Sequence, residues 1–139
     1  MHPSSRLISV EIDATFVEHL RATCPDAHVL HTDVRHADGL LREMNIEKVD
    51  VILNGLPTPS LPYEINRAVF DCIARVGRDA VVAQLTVMPL VYRAMYRRLF
   101  DDVRFDFVMA NIPPGGVYFC QGLKADYADN LPKKPVTVQ

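Results

Sequence analysis

Short apolar, β-branched runs recur along this chain, each closed by a polar residue and each separated from the next by helical periodicity. Leu7-Ile8-Ser9-Val10-Glu11 is the first, and a run of that length suits a buried strand better than a helix. Phe16, Leu20 and Cys24 follow at helical spacing, joined by Val17, with Glu18, His19 and Arg21 off the stripe, and Pro25 stops the helix. His28 to His31 predicts a second strand, Gly39 to Met44 a short helix, and Val49 to Asn54 a third strand opening into the proline-rich loop Gly55 to Pro62. Ile65, Val69, Cys72 and Val76 mark a helix ended by Gly77. Ala80 to Leu85 predicts a fourth strand and Met88 to Phe100 a fourth helix. Val103 to Ala110 and Val117 to Leu123 are two successive strands across the Asn111 to Gly116 turn. Such alternation predicts an α/β fold, a mostly parallel sheet with a C-terminal antiparallel hairpin. One domain is expected over residues 1–124, followed by a polar, proline-punctuated tail, 125–139, expected to pack weakly.

Composition narrows the functional classes. With 139 residues, 49% of them hydrophobic and 23% charged, the chain can bury a core. A net charge of −2 supplies no global field toward nucleic acid or an anionic membrane. Cys24, Cys72 and Cys120 lie too far apart for a metal or redox motif and are expected to be reduced thiols. No secretory signal is visible before Leu7, and no apolar stretch approaches the roughly 20 residues of a membrane-spanning helix. A cytoplasmic protein that could touch the inner membrane surface is expected.

In open α/β sheets, ligands bind beyond the carboxyl ends of the strands. That selects Glu11 to Asp13, His31 to Asp33, Asn54 to Pro57 and Gln84 to Thr86. A carboxylate at the Glu11 position can accept ribose hydroxyls, or merely sit solvated. Asp13 stands where a helix N-cap belongs. Asp33 can accept from an adenine amino group or tie down its own loop. Asn54 can accept hydrogens from a substrate amine, or form a turn with Gly55. His28, His31, Asp33 and His36 are crowded, but alternation along a strand sends His28 and His31 to opposite faces, so no metal is expected. The basic side of the Met88 to Phe100 helix, with Arg93 and Arg97, reads as a solvated face, with anionic lipid as the competing reading.

Taken in order, Leu7 to Asp13, Thr32-Asp33, Asn54-Gly55-Leu56-Pro57 and Asn111-Ile112-Pro113-Pro114 resemble successive motifs of class I S-adenosylmethionine-dependent methyltransferases. The likeness runs from about Leu7 to Phe119 and is nearest to bacterial phospholipid N-methyltransferases, relatives of the ribosomal RNA adenine dimethylases. Gln84-Leu85-Thr86 through Pro89 also fits the phospholipid branch. The resemblance implies a Rossmann-like methyltransferase sheet. It implies that Glu11 binds the cofactor ribose and Asp33 contacts the adenine, that Ile12, Val34 and Asn54 are also cofactor-binding, and that Asn54, Leu56 and Pro57 lie beside the transferred methyl group and the substrate. Thr58 stands where the dimethylases carry an aromatic, which disfavours base stacking and a nucleic-acid substrate.

The family opens with a strand and a glycine loop, and nothing before Leu7 resembles either, so the chain is expected to start one strand and one helix late. In the family that strand lies between the Leu7 and Val49 strands, and its absence would leave roughly 9.6 Å between neighbours that normally sit about 4.8 Å apart. No hydrogen bond crosses such a gap. Direct pairing of the two strands, a second copy of the chain, or residues beyond this chain could fill it. A homodimer is the expectation. The functional expectation is transfer of a methyl group from S-adenosylmethionine to an amine, such as a phospholipid headgroup. The competing reading is a non-catalytic interaction module that keeps the fold.

Overall fold

The computed structural model describes residues 5–87, 92–109 and 115–133, with the side chain of Pro59 also left aside. They form two compact units, Met1–Asn45 and Ile46–Gln139.

In the first unit the order is β1 (Leu7–Glu11), α1 (Ala14–Thr23), β2 (Ala27–His31), a 3-10 turn (Val34–His36) and α2 (Ala37–Glu43). β1 and β2 pair in parallel from Leu7↔Ala27 to Glu11↔His31, so both carboxyl ends lie side by side. Asp13 starts α1 as expected: its Oδ1 accepts the Thr15 and Phe16 N–H groups at 2.8 and 3.1 Å. The helix stops before Pro25, with the Cys24 N–H donating to the Leu20 carbonyl. The buried residue of α1 is Val17, whereas Phe16 is 61% exposed. The expected Phe16–Leu20–Cys24 stripe is therefore displaced, because a two-stranded sheet offers a narrow surface to cover it. Val29, Ala37 and Leu41 complete this small core.

The second unit runs β3 (Val51–Asn54), a 3-10 turn (Thr58–Ser60), α3 (Tyr63–Val76), β4 (Val81–Thr86), α4 (Arg93–Leu99), β5 (Phe100–Val108), β6 (Gly115–Leu123) and α5 (Tyr127–Asn130). Its sheet has the order β3-β4-β6-β5, with β3 parallel to β4 and β6 antiparallel to both β4 and β5. The molecule is thus a mixed α/β fold carrying the expected antiparallel hairpin. The four strand pairings among the described residues divide two parallel and two antiparallel.

Alternation along the strands puts Asn54, Val82, Gln84, Tyr118 and Cys120 on one face, and that face is buried. α3 and α4 meet it through aromatic contacts, and Tyr127 of α5 packs on Phe70 of α3. Phe70 lies 6.1 Å from Phe100 and 6.4 Å from Tyr127, and Tyr96 lies 5.0 Å from Tyr118. Leu99, Tyr118 and Cys120 are fully buried. The opposite face exposes Val51, Leu53 and Leu85.

Several boundaries differ from those predicted. β3 begins at Val51, because the Val49 N–H donates to the Val76 carbonyl at the end of α3 instead of joining the ladder. α4 begins at Arg93, while Met88 to Val91 lie outside the described residues. Phe100, predicted as helix, opens β5 and pairs with Leu123. The tail does pack as far as Leu131. Tyr127 and Leu131 are buried, the Tyr127 hydroxyl donates to Asp71 on α3, and the Arg67 guanidinium lies 5.7 Å from the Tyr127 ring centre. Its polar composition conceals these two apolar anchors.

Candidate functional site

At the carboxyl end of β1 the Glu11 carboxylate turns back on its own loop. One oxygen, Oε1, accepts both the Ile12 and Asp13 N–H groups at 2.8 Å. Each carboxylate oxygen has two acceptor positions, so Oε2 is the atom left for a ligand hydroxyl. Ile12 is exposed, and its carbonyl lies 3.1 Å from His31 Nε2. The Thr32 N–H donates to the Glu11 carbonyl, which joins the ends of β1 and β2.

Asp33 caps the 3-10 turn that starts at Val34. Its Oδ1 accepts the Arg35 N–H at 2.8 Å, and its Oδ2 pairs with Arg35 Nη2 at 2.7 Å. The Arg35 hydrogen bonds hold this carboxyl down at about 2, well below the usual carboxylate range. Of the two roles predicted for Asp33, this geometry displays the loop-tying one. Thr32, Arg35, His36 and Gly39 line an open depression beside the turn. Among the described residues no group of three His, Cys, Asp or Glu side chains is placed to hold a metal ion.

The Asn54 loop in the second unit is built differently, around buried amides. Asn54 ends β3 opposite Gln84 in the parallel ladder. Its Nδ2 donates to Gln84 Oε1 at 2.7 Å, and its Oδ1 accepts the Leu56 N–H at 3.1 Å. Gln84 Nε2 donates to the carbonyls of Leu56 and Leu85, both at 2.9 Å. Pro57 sits at φ −76°, ψ 59°, and the Thr58 N–H reaches back to the Leu56 carbonyl at 2.7 Å. That is an inverse γ-turn, and the proline ring presets its φ. Leu56 is half-buried and Pro57 exposed, so the loop shows its proline to solvent.

Thr58 closes the network. Its hydroxyl donates to Gln84 Oε1 at 3.3 Å and lies 3.0 Å from the Tyr96 hydroxyl. With a single hydrogen already given to Gln84, Thr58 accepts from Tyr96. Burial pushes the Tyr96 phenol well above its ordinary value, which keeps it protonated as that donor. Tyr118, opposite Gln84 in the β4–β6 ladder, is fully buried, and among the described residues its hydroxyl has no hydrogen-bond partner.

Comparison with known proteins decides what kind of chain this is. It is 39% identical over 131 residues to an ornithine lipid N-methyltransferase of Singulisphaera acidiphila, an alignment spanning 91% of this chain and 68% of that protein. The chain belongs to the methyltransferases. A second, shorter likeness, 43% over 70 residues, is to the type II methyltransferase M1.HphI of Haemophilus parahaemolyticus, covering 48% of this chain and 19% of that one. No family model matches.

For a methyltransferase, the strand ends carry the polar groups that sequence singled out. Glu11, Ile12, Asp33 and Val34 cluster at the β1 and β2 ends of one unit. Asn54, Leu56 and Pro57 form one hydrogen-bonded loop in the other. The Asn111 to Pro114 motif lies outside the described residues. Sequence reading missed how Gln84, Thr58 and Tyr96 act together. Gln84 and Tyr96 lie 30 and 42 residues from Asn54 along the chain, and only the β3–β4 register and the placement of α4 join them. A glutamine ending an apolar strand was the one available signal.

Proposed function

We propose that the chain takes part in S-adenosylmethionine-dependent N-methylation of an amine carried on a lipid headgroup. The observation that carries the lipid reading is the apolar end of the second unit's sheet. β3, β4 and β5 run in the same direction, and at their carboxyl ends Leu53, Leu85, Val87, Phe107, Val108 and Met109 are exposed, Met109 by 78%. The Asn54 loop leaves the sheet at that end, so an amine there would have apolar surface beside it for acyl chains. The lipid substrate in the relative's name supports the same class.

Bound S-adenosylmethionine would supply an electrophilic methyl group on a sulfonium. Glu11 Oε2 fits a ribose hydroxyl as an acceptor. Ile12 and the Asp33–Val34 turn would flank the adenosine half. Asn54 Oδ1 would accept a hydrogen of the neutral amine and aim its lone pair, while Leu56 and Pro57 fix the loop. Nitrogen then forms its bond to the methyl carbon as the carbon–sulfur bond breaks and that electron pair stays on sulfur. The positive charge passes to nitrogen, and where that nitrogen carries hydrogen one proton is then lost to solvent. Such a displacement is governed mainly by alignment, which rigid amides supply.

The test has two arms. Calorimetric titration with S-adenosylhomocysteine should give binding in the chain and at least a roughly tenfold loss in Glu11→Ala, about 1.4 kcal/mol. Radiolabel from S-adenosylmethionine should enter ornithine lipid or phosphatidylethanolamine vesicles and not a tRNA pool. Binding with label in neither lipid would refute the acceptor class. Absence of binding up to millimolar product would refute a cofactor role for Glu11 in this chain.

A further inference from the structure

We propose that Gln84 is a positioning residue which sets the orientation of the Asn54 side-chain amide and so aims its oxygen at the acceptor amine. The proposal rests on the reading of Asn54 as the amine-orienting group and extends it to a residue that meets neither substrate nor cofactor. Its starting point is an asymmetry of the backbone. The carbonyls of Leu56 and Leu85 can only accept, and one end of the Gln84 amide lies 2.9 Å from each. That end must be the NH2 group, so the other end is the oxygen. Oε1 then faces Asn54 at 2.7 Å and the Thr58 hydroxyl at 3.3 Å, and can only accept from both. Asn54 must therefore present its own NH2 to Gln84, which turns its Oδ1 toward the loop, where it takes the Leu56 N–H.

The two hydrogens and two acceptor positions of the Gln84 amide are all used, and the side chain is 2% exposed. Rotating it by half a turn would set its oxygen against two carbonyls and its NH2 against the Asn54 NH2. Three of its four contacts would turn repulsive, and only the Thr58 hydroxyl, which can accept as well as donate, could adapt, so a single orientation is favoured. The Tyr96 hydroxyl adds to the same direction by donating to Thr58, whose hydrogen is thereby committed to Gln84. With one lone pair of Asn54 Oδ1 on the Leu56 N–H, the second is the one held out for an amine hydrogen. An asparagine without this partner could flip and offer a donor to the amine in place of an acceptor.

Gln84→Met keeps the side chain's length and removes both functions. Two readouts separate this proposal from the methyltransferase reading beneath it. In nitrogen-15 NMR, the Asn54 side-chain NH2 pair should exchange slowly with water in the wild type and at least roughly tenfold faster in Gln84→Met. Unchanged protection would overturn the proposal, whether or not the chain transfers methyl groups. In methyl transfer to ornithine lipid vesicles, Gln84→Met should lower kcat by about a hundredfold, with KM and S-adenosylhomocysteine affinity within about twofold. The same change placed in Asn54→Ala should cost less than about twofold, since the two act as one unit. Losses that multiply would overturn the proposal. Should Gln84→Met fail to fold, Gln84→Glu serves: its rate relative to wild type at the same pH should rise as pH falls, because only the protonated acid can donate to a main-chain carbonyl. A pH-independent ratio would count against the proposal.

Discussion

A carboxylate at a strand end is informative only once its partners are known, and Asp33 illustrates why. Both its oxygens are engaged by Arg35, two residues on, which holds its pKa at about 2. Because the folded value lies below the unfolded one, about 3.9, its contribution to stability is complete above the unfolded value. It is lost as pH falls through about 2. Asp33 therefore stays ionised throughout the range in which methyl transfer would be assayed, and no step of a rate profile between pH 5 and 9 should trace to it. Carboxyl-carbon NMR should find Asp33 still ionised at pH 3 in the wild type and titrating distinctly higher in Arg35→Ala, which loses the guanidinium but keeps the residue-35 N–H on Oδ1. A wild-type midpoint close to 4 would mean that the Arg35 clamp does not persist in solution. Cysteine chemistry separates by burial in the same way. Cys24 is exposed, whereas burial pushes the Cys120 thiol up to about 12, so an aqueous thiol reagent should label the first and spare the second.

At the scale of elements, the β5–β6 hairpin depends on one close approach. Gly116 is buried, and a Cβ there would run into the Phe105 ring and come within 2.7 Å of the Asp106 carbonyl oxygen. Phe105 cannot easily give way, because its ring is packed 4.7 Å from Tyr118 and 6.3 Å from Phe107. Gly116→Ala should therefore destabilise the protein by about 1–3 kcal/mol, read as a lower urea midpoint at unchanged slope. In a Phe105→Ala background the same substitution should cost at least about 1 kcal/mol less, since the obstructing ring is gone. Sequence periodicity disclosed this hairpin, as it disclosed β1 at its observed bounds and the N-cap at Asp13, because such signals are local. It misplaced the start of β5, where Phe100 pairs with Leu123 across 23 residues. It also missed the docking of Tyr127 on Asp71, which a polar, proline-bearing tail gives no pattern to announce. The candidate site divides along the same line. Asn54, Leu56 and Pro57 are contiguous and were legible, whereas the amide that orients Asn54 arrives from the neighbouring strand.

Across the whole molecule, the two compact units differ in what holds each together, and their stabilities should differ accordingly. The first contains one two-stranded ladder and a few fully buried apolar side chains, chiefly Val17, Val29, Ala37 and Leu41. A single strand pair is marginal in water without a substantial packed face, and Phe16 and Ile12 are left on the surface. The second unit has two central strands, β4 and β6, each paired on both sides, over a core of Phe70, Leu99, Phe100, Tyr118 and Cys120. Opening β4 or β6 must break two ladders and expose that core, so their amides should exchange only through global unfolding. β1 and β2 need lose only one ladder. We expect native-state hydrogen exchange to place the free energy of opening for Ser9, Glu11 and Leu30, whose N–H groups point into the β1–β2 ladder, at least about 2 kcal/mol below that of Ala83 and Phe119. A small urea increment should narrow the first set little and the second set steeply, since the exposed area differs. If all five amides instead exchanged with one free energy and one denaturant slope, the two units would open as a single cooperative body. The Glu11 and Asp33 strand ends would then be as firmly held as the Asn54 loop. A gap in the expected direction would make ordering of the β1–β2 unit part of the energetic cost of binding the adenosine half, and S-adenosylhomocysteine should then raise protection there first.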